Sequence, residues 1–113
     1  GLELVMVERQ GCGWCQRWLR DVGPIYPKTP EGARAPLRRH DLANGQPEGL
    51  VSPAVYTPTF VLLRDRREVG RIVGYADDST FWGLLGAMLK REENAAVPLD
   101  DVAPQSAFAG QRG

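Results

Sequence analysis

Hydrophobic positions divide the chain into short continuous runs and one-sided stripes. Residues 2–8 form an apolar run rich in strand-forming residues, which predicts a strand buried on both faces. From Cys12 the apolar residues recur at helical spacing instead, so one side of a helix is expected to face the core. The members of this stripe are Cys15, Trp18, Leu19 and Val22. Gly23 and Pro24 are expected to end the helix.

The middle of the chain carries weaker patterns. Residues 23–36 contain four prolines and predict an irregular connection with room for one helical turn. Residues 37–42 carry a weak strand pattern. Residues 43–53 are rich in turn formers and leave space for a short helix. This stretch therefore predicts a second strand followed by a long connection.

Residues 59–94 carry clearer strand and helix patterns than the middle of the chain. Residues 59–64 predict a strand, residues 65–67 a tight charged turn, and residues 68–75 the returning strand of an antiparallel hairpin. Residues 77–79 offer helix N-caps, and apolar residues then repeat at helical spacing up to about residue 94. A final amphipathic helix is therefore expected.

The order of these elements predicts an α/β fold. Two strands joined through a helix favour a parallel βαβ unit, and the hairpin adds two antiparallel strands to the same sheet. We expect a central mixed four-stranded sheet flanked by helices, formed by residues 1–94. Residues 95–113 lose periodicity and predict an irregular or mobile C-terminal tail.

Composition narrows the possible functions. A chain of 113 residues has room for one domain with a single core. Its 14 basic and 14 acidic residues balance, so charge gives no reason to expect nucleic acid or an anionic membrane as a partner. No apolar run approaches the roughly 20 residues that cross a bilayer.

Both cysteines of the chain, Cys12 and Cys15, lie where the first strand gives way to the first helix. A cysteine at a helix start faces unpaired N–H groups and the positive end of the helix dipole, which can lower a thiol pKa from about 8.5 to between roughly 3.5 and 7.5. Cys12 is thus predicted to be the exposed nucleophile. Cys15, one turn later on the core side, is predicted to be the shielded thiol that resolves a mixed disulfide.

Two other interpretations of the cysteine pair stay open. A zinc site normally needs four ligands, and His40 is the one histidine that the chain offers in addition. An inert disulfide is also possible, although closing so short a loop stabilises little. We favour redox exchange, with no metal. Gly13 leaves the approach to Cys12 open, and Trp14 lies off the core stripe, so it should be partly exposed.

These features, in this order, resemble the thioredoxin superfamily over residues 2–93. The matching segments are LVMVE leading into GCGWC, then YTPTFVLL, EVGRIVGY and the final amphipathic helix. The resemblance implies a cis peptide bond between Thr57 and Pro58 beside the cysteines, with Gly74 completing a groove that docks the partner's chain. Taken singly, Pro58 is equally consistent with a trans proline and Gly74 with a turn glycine.

Within the superfamily, the chain is similar to the SoxS-type periplasmic thioredoxins of bacterial sulfur-oxidation (Sox) systems. That similarity rests on VMVERQGCGWC, the Pro-rich span that follows, and EVGRIVGY before FWGLL. It implies a periplasmic protein that reduces the cysteine of Sox sulfur-carrier partners and receives electrons from an upstream thiol donor. We expect a monomer without a cofactor.

The sequence departs from the usual thioredoxin pattern inside the site. Thioredoxins carry a buried Asp six residues before the first cysteine, where this chain has Met6, and a proline between the cysteines, which this chain lacks. Glu8, at the end of the first strand, is a possible proton relay through water, but we interpret it as a solvated carboxylate. Glutathione binding is unsupported, because the glutaredoxin Cys-Pro-Tyr-Cys pattern is absent.

The sequence therefore predicts a thiol–disulfide oxidoreductase that acts on a partner protein. The uncharged pair between the cysteines favours a reductant or an intermediate redox potential. A disulfide oxidase or isomerase of the same fold is an alternative, and so is a non-catalytic binding module whose cysteines are incidental.

Overall fold

The computed structural model describes residues 1–95. Four strands and three helices account for most of them. The strands are β1 (Leu2–Glu8), β2 (Leu37–Asp41), β3 (Thr59–Arg64) and β4 (Arg67–Val73). The helices are α1 (Gly13–Asp21), α2 (Pro30–Arg34) and α3 (Asp78–Ala95), with 3-10 turns at Tyr26–Lys28 and Leu42–Asn44. The predicted tail lies outside the described residues except for Ala95, the last residue of α3. None of the described helices is long and apolar enough to span a membrane.

The four strands form one mixed sheet in the order β2-β1-β3-β4. The pair β1 and β2 is parallel, whereas β1 with β3 and β3 with β4 are antiparallel. This confirms the predicted parallel unit with an added hairpin. Residues 4–7 of β1 are completely buried, as a central strand covered on both faces requires.

One face of the sheet holds α1 and α3 in a single hydrophobic cluster. Trp18 lies at its centre, with ring centroids 5.0 Å from Phe60 of β3 and 5.4 Å from Phe81 of α3. Cys15 and Met6 belong to the same cluster. The predicted core side of the first helix is therefore confirmed for Cys15, Trp18 and Val22, while Leu19 is half-buried.

The other face of the sheet is covered by a loop. Residues 43–53 contain no helix beyond the 3-10 turn Leu42–Asn44, so the short helix expected there is reduced to that turn. Gln46 holds the loop by accepting from the Ala54 N–H at 2.8 Å and donating to the Ala54 carbonyl at 2.9 Å. Pro47 and Pro53 have no backbone N–H to donate within a helix. The Gln46 side chain therefore pairs with backbone groups of the loop instead.

The Pro-rich connection between α1 and β2 is more ordered than its composition predicts. It contains a 3-10 turn, Tyr26–Lys28, and the short helix α2. Thr29 caps α2 by accepting from the Gly32 N–H at 3.0 Å. Gly32 packs directly on the Tyr26 carbonyl, where an added Cβ would collide with backbone atoms. The connection therefore depends on the absence of a side chain at this position.

Gly32→Ala is expected to lower the free energy of unfolding by about 1–3 kcal/mol, because the new methyl group meets backbone that cannot move aside cheaply. Gly83→Ala is the matched control, since it lies inside α3 with open space around it. That change should raise stability by about 0.5–1 kcal/mol. Urea unfolding of both variants checks the pair, and equal effects would contradict this packing.

Candidate active site

Cys12 is the N-cap of α1, as predicted. Its backbone is extended, with φ −85° and ψ 101°, and its Sγ accepts a hydrogen bond from the Cys15 N–H at 3.1 Å. Gly11 precedes it with φ +79°, a conformation that favours glycine. The turn between β1 and α1 therefore presents the Cys12 sulfur to the free N–H groups at the helix start.

A disulfide joins Cys12 and Cys15, whose Cα atoms are 5.2 Å apart. Cys15 is 1% exposed and Cys12 is 9% exposed. The order of exposure is the predicted one, but Cys12 is far less open than expected. In the disulfide form its sulfur is bonded to Cys15 and packs with the core cluster, which accounts for the difference.

Gly13 and Trp14 lie between the cysteines on the solvent side of α1. A side chain added at Gly13 would meet nothing within 4 Å, so the surface beside Cys12 is open. Trp14 is 52% exposed, which confirms that it lies off the core. The Arg17 guanidinium lies 5.2 Å from the centre of its ring, a cation–π distance.

The peptide bond between Thr57 and Pro58 is cis, as the family resemblance implies. Gly74 follows β4 with φ +86°, and its N–H donates to the Pro58 carbonyl at 2.7 Å. The two predicted groove residues are thus in direct contact. The predicted strand over residues 68–75 ends at Val73, because Gly74 turns the chain away from the sheet.

Three carbonyls around Pro58 are occupied by hydrogen bonds within the protein. The Val55 carbonyl accepts from the Arg9 side chain at 3.0 Å. The Tyr56 carbonyl accepts from the Thr59 hydroxyl at 2.6 Å, and the Pro58 carbonyl accepts from the Gly74 N–H at 2.7 Å. By contrast, the backbone of Thr57 makes no hydrogen bond with any residue in 1–95. Thr57 is therefore the position in this loop whose N–H and C=O remain available to another chain.

Sequence reasoning missed Arg9, Val55 and Tyr56. Arg9 links the segment before Cys12 to the loop before Pro58, because its side chain donates to the Val55 carbonyl. Tyr56 is 71% exposed beside this loop, and Val55 is exposed as well. Both residues directly precede Thr57 and Pro58 in the sequence, and this position could have identified them as part of the site. For Arg9 there was no signal, since its partner lies 46 residues away in the sequence.

Glu8 is not the solvated carboxylate that the sequence suggested. It is only 8% exposed and accepts two hydrogen bonds from Arg39, at 2.6 Å from Nε and 2.9 Å from Nη2. The same hydrogen bonds raise the pKa of the Arg39 guanidinium. Because side chains alternate along a strand, Glu8 shares the sheet face of Met6, which is packed in one cluster with both cysteines.

Tyr75, which follows Gly74 after the end of β4, contacts α1. Its hydroxyl donates to Asp21 Oδ2 at 3.0 Å, across 54 residues of sequence. Burial, followed by the hydrogen bond to Asp21, raises the pKa of Tyr75 to about 12. The residue after Gly74 thereby fixes that loop against the last turn of the helix that carries the cysteines.

Among solved structures, the chain is similar to the periplasmic thioredoxin SoxS of Paracoccus pantotrophus in its reduced form. The two are 38% identical, the match covers 81% of this chain and 99% of that chain, and the TM-score is 0.78. The chain belongs to the SoxS family of thioredoxins. Neither a protein-family model nor a curated protein matches it.

Two more distant structures agree with the fold of this SoxS family member. The thioredoxin of Malassezia sympodialis is 20% identical, with 77% of this chain and 74% of that one covered and a TM-score of 0.53. The thioredoxin of Fasciola hepatica is 21% identical, with 77% and 80% covered and a TM-score of 0.56. At such identities the likeness shows the thioredoxin fold alone.

Family membership and the disulfide-bonded Cys-x-x-Cys pair together make this chain a thiol–disulfide oxidoreductase of the thioredoxin type. Proteins of this type act on protein substrates through cysteines. The SoxS family member described here has fully buried Met6 where the usual thioredoxin pattern has Asp. The interior beneath its cysteines is therefore apolar at that position.

Tyr75→Phe is expected to lower the free energy of unfolding by about 0.5–1.5 kcal/mol at neutral pH, since it removes the hydrogen bond to Asp21. In the native protein Tyr75 keeps its proton to about pH 12, whereas an unfolded tyrosine loses it near pH 10. The free energy of unfolding therefore decreases as the pH rises from about 10 to about 12, and this decrease should be smaller in the Tyr75→Phe protein. Urea unfolding at pH 8 and pH 11 measures both effects.

The control for this prediction is Tyr56→Phe. Tyr56 is exposed, and its hydroxyl makes no hydrogen bond with the described residues. Its replacement should leave stability unchanged at pH 8. A Tyr75→Phe protein that matched the Tyr56→Phe protein at both pH values would contradict the role given to the Asp21 contact.

Proposed function

We propose that this protein reduces a disulfide or a cysteine-bound sulfur adduct on a partner protein, with Cys12 as nucleophile and Cys15 as resolving cysteine. The observation that carries the proposal is the Cys12–Cys15 disulfide at the start of α1 in a chain 38% identical to a SoxS thioredoxin. The N-cap position of Cys12 supports its role, because N–H groups at a helix start stabilise a thiolate. The burial of Cys15 supports the resolving role.

The proposed reaction is two successive thiol–disulfide exchanges. The Cys12 thiolate attacks one sulfur of the partner's disulfide, a mixed disulfide forms, and the other partner sulfur leaves as a thiolate that takes up a proton. The Cys15 thiolate then attacks the Cys12 sulfur and releases the second partner thiol. Two electrons pass from the Cys12–Cys15 dithiol to the partner. An upstream thiol donor restores the dithiol by the reverse sequence.

The groove for the partner is proposed to run between α1 and the loop before Pro58. The unpaired N–H and C=O of Thr57 support this placement, because an extended peptide pairs with free backbone groups. Gly13 and Gly74 both have open space where a side chain would stand. Trp14 offers an exposed apolar face beside Cys12.

The proposed location is the periplasm, and the proposed partners are the sulfur-carrier proteins of a Sox system. Support comes from the similarity to a SoxS described as a periplasmic thioredoxin. We further propose that the protein acts as a monomer without a cofactor, and that residues 1–94 form the catalytic domain. The described elements, which run from Leu2 to Ala95, support that boundary.

Cys15→Ser is expected to accumulate a mixed disulfide between Cys12 and the partner in a periplasmic extract, because the resolving attack is lost. Cys12→Ser, its matched control, should accumulate none. Non-reducing gels followed by mass spectrometry identify the trapped protein, which should be a Sox sulfur carrier. Equal trapping by the two variants would contradict the assigned roles, and a trapped protein from another system would contradict the proposed partner.

Glu8 is proposed to exchange protons with the site through water, in place of the Asp that Met6 replaces. It lies on the Met6 face of β1 and is held by Arg39. Glu8→Gln keeps the size of the side chain but cannot transfer a proton. It should slow insulin reduction by about tenfold or more and alter the pH profile of the rate between pH 6 and 9.

Glu3→Gln is the matched control for Glu8. Glu3 lies on the same strand and accepts a hydrogen bond from Arg38 at 2.8 Å, but it belongs to the opposite face of the sheet. Its replacement should leave the rate and its pH profile unchanged. Identical profiles for the wild-type protein and Glu8→Gln would remove Glu8 from the mechanism.

A further inference from the structure

Helix α1 carries a positively charged stripe on its solvent side. Gly13, Arg17 and Arg20 are spaced i, i+4 and i+7, so they follow one line along the helix. Both arginines are exposed. Neither forms a salt bridge with any residue in 1–95. The guanidinium groups of this stripe therefore have no carboxylate within salt-bridge distance in the described part of the protein.

Nine arginines lie elsewhere in the described residues. Four of them form salt bridges with glutamates, namely Arg38, Arg39, Arg64 and Arg71. The other five form no salt bridge with a described residue, but none of them lies on α1 beside the cysteines. Arg17 and Arg20 are the arginines of α1, and both lack such a partner among the described residues. The carboxylate that follows Arg20, Asp21, accepts the hydroxyl of Tyr75 and does not pair with the stripe.

The stripe and Trp14 together line a shallow concavity of about 440 Å³ next to Cys12. Its walls are Gly13, Trp14, Arg17 and Arg20. In it the Arg17 guanidinium lies over the face of the Trp14 ring, so a cation and an apolar surface are next to each other. This combination suits a peptide that presents carboxylates together with apolar groups.

We propose that this α1 surface docks an acidic segment of the partner protein, with carboxylates two to four residues from the partner's reactive cysteine. The inference rests on the proposed function, since it assigns the partner's chemistry. At a rise of about 1.5 Å per residue, Arg17 and Arg20 lie about 7 and 12 Å along α1 from Cys12, to which the partner's cysteine bonds. An extended chain advances about 3.3 Å per residue, so two to four residues cover those distances.

The docking is tested with three synthetic peptide disulfides that differ only at these flanking positions, which hold Asp, Ser or Lys. The wild-type protein, kept reduced with dithiothreitol, should have the highest kcat/KM for the Asp peptide. Arg17→Gln with Arg20→Gln should lower kcat/KM on the Asp peptide by about four- to twentyfold, as expected for two exposed charge pairs, and leave the Ser peptide unchanged. The preference should also shrink toward about 0.5 M salt.

Arg66→Gln with Arg67→Gln is the matched control, because it removes the same net charge at the β3–β4 turn. That turn lies at the far end of β3 from Pro58, about 20 Å along the strand. The control variant should keep the full preference for the Asp peptide. If it loses the preference as well, total charge rather than the α1 surface is responsible, and the inference fails.

Two further results separate this inference from the proposed function. Equal rates on all three peptides, or an equal loss on all three in the Arg17 and Arg20 variant, would overturn the acidic docking segment and leave the reductase intact. Reduction of none of the peptides by the wild-type protein would overturn the proposed function and this inference together.

Discussion

The burial of Trp18 between the sheet and α3 determines where the chemistry of this protein takes place. Its ring contacts Phe60 below and Phe81 above, and Tyr26 lies 6.1 Å away on a third side. Burying an aromatic side chain of this size contributes a large share of the stability of so small a core. The contacts of Trp18 therefore determine which side of α1 faces the sheet. Cys15, one turn earlier, must then face the same core.

Three hydrogen bonds between distant segments complete the site around that helix. Arg9 binds the carbonyl of Val55, Gly74 binds that of Pro58, and Tyr75 binds Asp21. Each contributes about 0.5–1.5 kcal/mol, which is modest against the packing of the core. Their main effect is to position the site, because they hold the strand ends and α1 in one arrangement. The Thr57 backbone is left free between them.

The sequence was informative wherever a feature is local. The strand over residues 2–8, the N-cap position of Cys12 and the exposure of Trp14 follow from spacing and from helix geometry. The contact of Gly74 with Pro58 came from a family resemblance, because no local rule joins residues 16 apart. The burial of Glu8 was not predictable, since Arg39, which holds it, lies 31 residues further along the chain.

The distribution of charge divides the site into two environments with different tasks. Beneath the cysteines, Met6 makes the interior apolar, and at the end of the same strand Glu8 is bound by Arg39. Above them, unpaired Arg17 and Arg20 face solvent, where charge acts on an approaching partner rather than on the buried thiol. Under the two proposals, proton exchange depends on Glu8 and partner choice on Arg17 and Arg20. A change of partner is then expected to need new charges on α1 and no change in the buried site.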